Sequence, residues 1–301
     1  MESWVLATLL AAFFQTLRFA VQKRLTGPAP QGAGLSAVGA TWARFLYAAP
    51  MLALGVTIWL VATGRPLPAL SLQFWGFALI GGVAQILATV CVVALFSFRA
   101  FAVGLTFKKS EVLQTALVGW LVLGDTVSVA GLLALILGFA ALLLLSSPPE
   151  GAPAGEALRA TLLGFAAGAF FAVAGVGYRG AVLALEAPVA LKSAVALMLI
   201  TAMQTAIMAV WLAACDRPQA RAVLAAWRPG LVVGLFSLAG SLGWFIAFAQ
   251  QNAAYVFALG QIELIFGLIL GLVFFNERPA RRELMGMALL AVSLVALVAV
   301  I

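Results

Sequence analysis

Residues 96–125, FSFRAFAVGLTFKKSEVLQTALVGWLVLGD, recur as residues 248–277, FAQQNAAYVFALGQIELIFGLILGLVFFNE. Four landmarks keep one offset, since 248−96, 263−111, 271−119 and 277−125 all equal 152; they pair Phe96 with Phe248, Glu111 with Glu263, Gly119 with Gly271 and Asp125 with Glu277. In each copy a carboxylate interrupts an apolar run, a glycine-containing run follows, and an acid closes it. The chain reads as a duplicated unit with an ionisable group inside a hydrophobic segment. Where such a segment lies in a bilayer, the charge marks a functional site.

That these segments lie in lipid follows from composition. Hydrophobic residues make up 65% of the chain, charged residues 9%, and the mean hydropathy is +1.15, whereas a soluble domain carries about a quarter charged residues. Runs of roughly 20 apolar residues match a hydrocarbon core of about 30 Å at 1.5 Å rise per residue. No alternating barrel pattern is present, so the segments are helices that satisfy their own backbone hydrogen bonds.

The pattern predicts an all-α integral membrane protein. Spans fall at 3–21, 40–63, 73–95, 100–123 and 127–145, then at 158–182, 189–214, 230–250, 253–275 and 284–301. Ten spans in two sets of five give a first repeat over 1–146, a linker over 147–156 (containing PPEGAPAGE) and a second repeat over 157–301. Because five is odd, the second set enters the membrane from the opposite side, which makes the repeats inverted and implies alternating access between two similar halves.

Charge and cysteine content narrow the function. The net charge of +7 lies between or inside apolar spans, so lipid head groups and topology account for it, and no nucleic-acid partner is expected. Cys91 and Cys215 have no metal-like spacing and there is no histidine, which argues against a disulfide framework, a metal site, a cofactor or His-based catalysis. No GxxxxGK[ST] motif is present. The first segment, without a basic leader or small-residue cleavage site, reads as a retained span. Lys and Arg divide ten to three in favour of the loops after the odd-numbered spans, and the positive-inside rule then puts both termini outside the cytoplasm.

Several polar residues within the spans are candidates for a site. Glu111 has Lys108 at i−3, whereas Glu263 has no basic residue within a turn along its own helix. Glu263 is therefore the better candidate for proton coupling, and Glu111 the one held ionised by a neighbour. Lys108 and Lys109 point about 100° apart; they either snorkel to an interface or serve a ligand, and their counterparts Gly260 and Gln261 are neutral. Arg18 shares a helix face with Gln15 and Gln22, and Arg44 is either an interfacial anchor or a cavity residue. With one lysine these arginines outnumber the local acids, which favours an anionic or zwitterionic ligand. Gln85, Gln114 and Gln204 are polar enough to face inward, and Gln261, the counterpart of Lys109, is a further candidate. Trp42, Tyr47 and Trp244 are belt or lipid-facing aromatics, or cavity walls. Asp125 and Glu277 fit N-terminal caps of the fifth and tenth spans, and Gly81, Gly82, Gly240 and Gly243 fit close helix contacts.

With these residues in view, the chain resembles the drug/metabolite transporter (DMT) superfamily, in particular its EamA-like ten-span branch. The resemblance lies in SEVLQTALVGWLVLGD at 110–125 and QIELIFGLILGLVFFNE at 261–277, with Gly131, Gly138 and Gly286 at small positions of the fifth and tenth spans and Arg44 where members carry an arginine. It covers nearly the whole chain. Val112 and Leu264 stand where the family often has proline, and Lys108–Lys109 match no pattern of a better-known branch.

The resemblance and the residues together imply a secondary transporter, acting as an exporter in a bacterial inner membrane. Its substrate is expected to be a small polar metabolite, an organic anion or a zwitterion such as an amino acid, moved by proton coupling or exchange. Arg18, Arg44 and Lys108 or Lys109 would hold the substrate, with protons as partners of Glu263 and Glu111. The protein would act as a monomer or homodimer. A lipid or lipid-linked metabolite flippase is the alternative, and an enzyme is not expected.

Overall fold

The computed structural model describes residues 2–26, 34–95, 98, 107–145, 154–266 and 281–300. Of the described chain 87% is helical and none is strand. The helices are α1 (Ser3–Thr26), α2 (Ala37–Thr63), α3 (Leu72–Leu95), α4 (Glu111–Leu123), α5 (Val129–Leu145), α6 (Ala154–Leu183), α7 (Val189–Cys215), α8 (Arg217–Ala225), α9 (Trp227–Phe248), α10 (Ala253–Gly260) and α11 (Arg281–Val300). The expected linker lies, over 147–153, outside the described residues, as do Phe96, Gly271 and Glu277.

Six of these helices, α1, α2, α3, α6, α7 and α9, are long and apolar enough to cross a membrane. Large apolar side chains face outward on the bundle: Leu54, Val61, Val210 and Val295 are all more than 60% exposed. Polar side chains lie inside, among them Arg18, Gln22, Glu111 and Gln204, each 2% exposed or less. That inversion of the soluble pattern is what a membrane protein presents to lipid.

Lipid tails are as apolar as leucine, so close packing and polar bonds, not expulsion from water, hold such helices together. Small residues let the backbones approach. A Cβ built on Gly177 of α6 would lie 2.7 Å from the Cα of Gly81 on α3, which only a glycine pair permits. On α9, a Cβ at Gly243 would lie 2.7 Å from the carbonyl oxygen of Ala7 on α1. The expectation that Gly81 and Gly243 mark helix contacts agrees with these approaches. The other close pairings are α5 with α11, α2 with α9 and α7, and α4 with α6 and α10.

The spans expected at 100–123 and 253–275 are not uninterrupted helices. Phe107 and Lys108 are helical, Lys109 and Ser110 form a turn, and α4 starts afresh at Glu111. In the second half α10 ends at Gly260, Gln261 and Ile262 turn, and helix resumes at Glu263 as far as Phe266, beyond which the residues are not described. The two turns keep the duplication's offset, since 261−109 and 262−110 both equal 152. The first is tied by its own serine: Ser110 Oγ donates to the Phe107 carbonyl at 2.6 Å and accepts from Gln114 Nε2 at 2.7 Å. Gly168 of α6 makes room for it, as a Cβ there would meet the Lys108 carbonyl oxygen at 2.8 Å. At 13 residues α4 is roughly 20 Å long, short of a hydrocarbon core of about 30 Å.

Gly124, with φ +68°, ends α4 in the left-handed conformation. Its N–H and that of Asp125 bond back to the carbonyls of Trp120 and Gly119, both at 3.2 Å. Asp125 does not cap the following helix as expected. Ser128 does, accepting from the Gly131 N–H at 3.0 Å, and Asp125 stands three residues too early to reach that turn. It binds Arg179 of α6 instead, with Arg179 Nε and Nη2 donating at 2.7 and 3.1 Å. Arg179 Nη1 also donates to the carbonyls of Phe248 at 2.8 Å and Gln251 at 2.7 Å. One guanidinium thus ties the ends of α4, α6 and α9.

Candidate functional site

The interrupted helices bring the charged residues of both halves to one place. Helix restarts at Glu111 and at Glu263, so each carboxylate stands on a first turn, where the exposed N–H groups favour negative charge. Lys108 Nζ donates to Glu111 Oε1 at 2.8 Å, the pair being 5% and 3% exposed at the side chains, and the ammonium lies 4.5 Å from the centre of the Phe171 ring. Gln261 Nε2, from the other half, donates to the same Oε1 at 3.3 Å. Glu263 is ion-paired to Lys109 and accepts from Gln15 Nε2 at 2.7 Å. The reading that Glu263 lacks a cation holds along its own helix and fails in space, because the cation comes from the other half.

A cavity opens beside this cluster. Among the expected site residues, Arg44, Gln85, Lys108, Trp244, Gln261, Glu111 and Glu263 line it. The sequence reading passed over Gln15, Ser241 and Tyr178, which also line it, and over an aromatic wall. In that wall the rings of Phe248 and Phe257 meet edge to face at 5.3 Å, Trp244 lies 5.7 Å from Phe257, and Tyr178 lies 4.6 Å from Phe245. Gln15 had a legible signal, the face it shares with Arg18 and Gln22. The phenylalanines had none among so many apolar residues.

Five expected site residues do not line this cavity. Arg18 lies behind it, donating to Gln22 Oε1 at 2.7 Å and more distantly to Gln15 Oε1 at 3.5 Å, with its guanidinium 4.2 Å from the centre of the Phe19 ring. Lys109 is turned to Glu263. Gln114 is spent on Ser110. Trp42 donates to the Thr205 carbonyl at 3.1 Å in the packing of α2 against α7, and Tyr47 donates to the Val223 carbonyl at 2.9 Å. Periodicity assigns a residue to a helix face but not to the neighbour which that face meets.

The electrostatic balance is asymmetric. Both glutamates are matched by lysines, whereas among the described residues neither Arg18 nor Arg44 is paired to a carboxylate. Among the described residues Arg44, 7% exposed, donates only to hydroxyls, Thr89 Oγ1 at 3.1 Å and Ser241 Oγ at 3.3 Å. A guanidinium has five N–H donors, and burying its charge without a counter-ion is costly. Buried acceptors are also left over: Glu111 Oε2 and Gln261 Oε1 have no hydrogen-bond partner among the described residues. The cavity is therefore lined by cationic donors, by the residues that carry these bare oxygens and by aromatic rings. Among the described residues no group of acids and cysteines could hold a metal ion.

No family model and no curated protein matches the sequence. Solved structures do: 28 chains match, and one, a crystal structure of a protein at 15% sequence identity, covers 99% of this chain and 98% of its own with a TM-score of 0.70. At that identity the likeness is one of fold.

Proposed function

We propose that the chain is a secondary transporter of the drug/metabolite type, exporting a small organic anion or zwitterion such as an amino acid by alternating access. The observation that carries this reading is the pair of buried, carboxylate-free arginines beside a cavity at the meeting of the two halves. Arg44 would clamp the acidic group of the substrate, with Arg18 behind Gln15 adding positive potential. An ammonium group on a zwitterion would be received by Glu111 Oε2 and Gln261 Oε1, and the aromatic wall would pack its body.

Ten spans in two inverted repeats are part of the proposal. The four shorter apolar helices, with the interrupted segments around them, supply the further crossings. The packing is consistent with a two-fold exchange of the halves. Replacing each helix by its counterpart five spans on turns the pairing of α1 with α9 into that of α3 with α6, and the pairings of α5 with α11 and of α4 with α10 into themselves. Interrupted helices at repeat-related positions beside a central site belong to that architecture. The loop charges favour termini outside the cytoplasm of a bacterial inner membrane.

Coupling would run through Glu263. Its pair with Lys109 spans the halves, so a proton on Glu263 releases Lys109 and uncouples them, linking protonation to the conformational change.

The test is the melting temperature of the purified protein against a panel of amino acids, organic acids, nucleotide sugars, phosphorylated metabolites, lipophilic cations and lipids. A ligand that binds the folded state raises it by mass action. A shift confined to anions or zwitterions and lost in Arg44→Gln supports the reading. A shift with cations alone contradicts it, and one with lipids alone favours the flippase.

A further inference from the structure

Arg44 stands between two spaces. One is the central cavity; the other is a small chamber between α2, α7 and α9. Arg44, Tyr178, Ser241 and Phe245 line both and form the partition. Within the partition the Tyr178 hydroxyl accepts from Gln204 Nε2 at 3.0 Å and its ring packs 4.6 Å from that of Phe245.

The two spaces differ in charge. Glu111, Glu263 and Lys108 line the central cavity, whereas Arg44 is the one charged residue on the chamber's wall among the described residues. Beyond the partition, Thr201 and Gln204 of α7 and Ser237 of α9, each 4% exposed or less, add polar groups to its wall. Ser237 Oγ is buried and has no hydrogen-bond partner among the described residues. A helical hydroxyl ordinarily bonds the carbonyl one turn back, as Thr205 does to Thr201 at 2.8 Å and Thr89 to Gln85 at 2.9 Å. Ser237 forgoes that bond, and an unsatisfied buried hydroxyl costs about 1–3 kcal/mol. A free hydroxyl facing the same chamber as a guanidinium with no acid beside it is a donor set for an anion.

We infer that this chamber is a second station for the substrate's anionic group, a carboxylate, sulfonate or phosphate, reached from the central cavity across Arg44. The guanidinium stays in place while the anion changes sides, exchanging Gln15 on the cavity side for Ser237 and Thr201 on the other. Tyr178 and Phe245 are the partition that must yield. The inference rests on the reading of the chain as an anion or zwitterion carrier.

The experiment is thiol labelling in the full chain with Cys91→Ala and Cys215→Ala. Ser237→Cys is treated with an anionic reagent, sulfonatoethyl methanethiosulfonate, and a cationic one, trimethylammonioethyl methanethiosulfonate, each rate divided by that reagent's rate with free mercaptoethanol. The anionic reagent is expected to react at least about tenfold faster, by focusing of the positive potential, and to lose that preference when Arg44→Gln is added. Thr201→Cys, on the facing helix, is expected to behave alike and serves if Ser237→Cys fails to fold. Equal rates, a faster cationic reagent, or no reaction at either position overturns the second station. Gln85→Cys in the central cavity separates the two ideas. Anionic preference there with none in the chamber defeats the station alone, and its absence at Gln85→Cys counts against the carrier's anion site itself.

Discussion

Lys109 and Glu263, 154 residues apart in the sequence, form an ion pair across the two halves of the molecule. Their side chains are 6% and 12% exposed, so each would leave a buried charge behind if the other were removed. Lys109→Gln or Glu263→Gln alone is expected to destabilise the fold by about 3 kcal/mol. The double substitution should cost much less than the sum of the two, because it leaves no orphaned charge. A double-mutant cycle on melting temperatures checks this; additivity would show that the pair contributes nothing.

Coupling separates from stability in the same pair. An amide cannot take up and release a proton, so Glu263→Gln should lose uptake driven by a pH gradient. Exchange of substrate for substrate, which needs no net proton movement, should persist. Gradient-driven uptake at the wild-type rate in a folded Glu263→Gln protein would remove Glu263 from coupling.

Arg179 makes four hydrogen bonds that hold the ends of three helices, two of them to the carboxylate of Asp125. Arg179→Lys should fail to restore the contact, since an ammonium has no planar fork to bridge a carboxylate and two carbonyls. A loss of about 2 kcal/mol is expected for either Arg179→Lys or Arg179→Gln from carbonyls left unpaired. Thermal unfolding measures it, and a Lys variant as stable as the wild type would contradict the account.

At the crossing of α3 and α6, Gly177→Val should force the helices apart, because the added Cβ alone lies 2.7 Å from Gly81 Cα. Overpacking of this kind costs about 1–3 kcal/mol or more where backbone must move. Gly55, whose Cβ would meet nothing within 4 Å, is the control: Gly55→Ala should be neutral or mildly stabilising in the same melting assay.

Much of this was legible in the sequence, for physical reasons that also set the limits. Apolar runs of span length announce membrane helices; of the six long ones, α2, α3, α7 and α9 end within three residues of their expected bounds, while α1 and α6 run four or five residues beyond theirs. The offset of 152 singled out Glu111 and Glu263, and the structure brings both to one cavity. It did not reveal the turns at Lys109–Ser110 and Gln261–Ile262, because neither carries proline and the stabilising bond, Ser110 to Phe107, is local and polar within an apolar run. Nor could it pair Lys109 with Glu263: sequence neighbours report only on one helix, while the partner of a buried charge is chosen by packing. Trp42 and Tyr47 were uninformative for a similar reason, since an aromatic with a polar tip serves a helix contact as well as a cavity wall.

The central claim is that the cavity carries solute across the bilayer, and counterflow tests it most directly. Proteoliposomes loaded with a millimolar excess of an anion or zwitterion that stabilises the purified protein are diluted into trace labelled ligand. The account predicts transient accumulation of label in the wild type, its retention in Glu263→Gln and its loss in Arg44→Gln. No accumulation by wild-type protein that binds the same ligand would contradict the account and leave a binding protein, not a carrier.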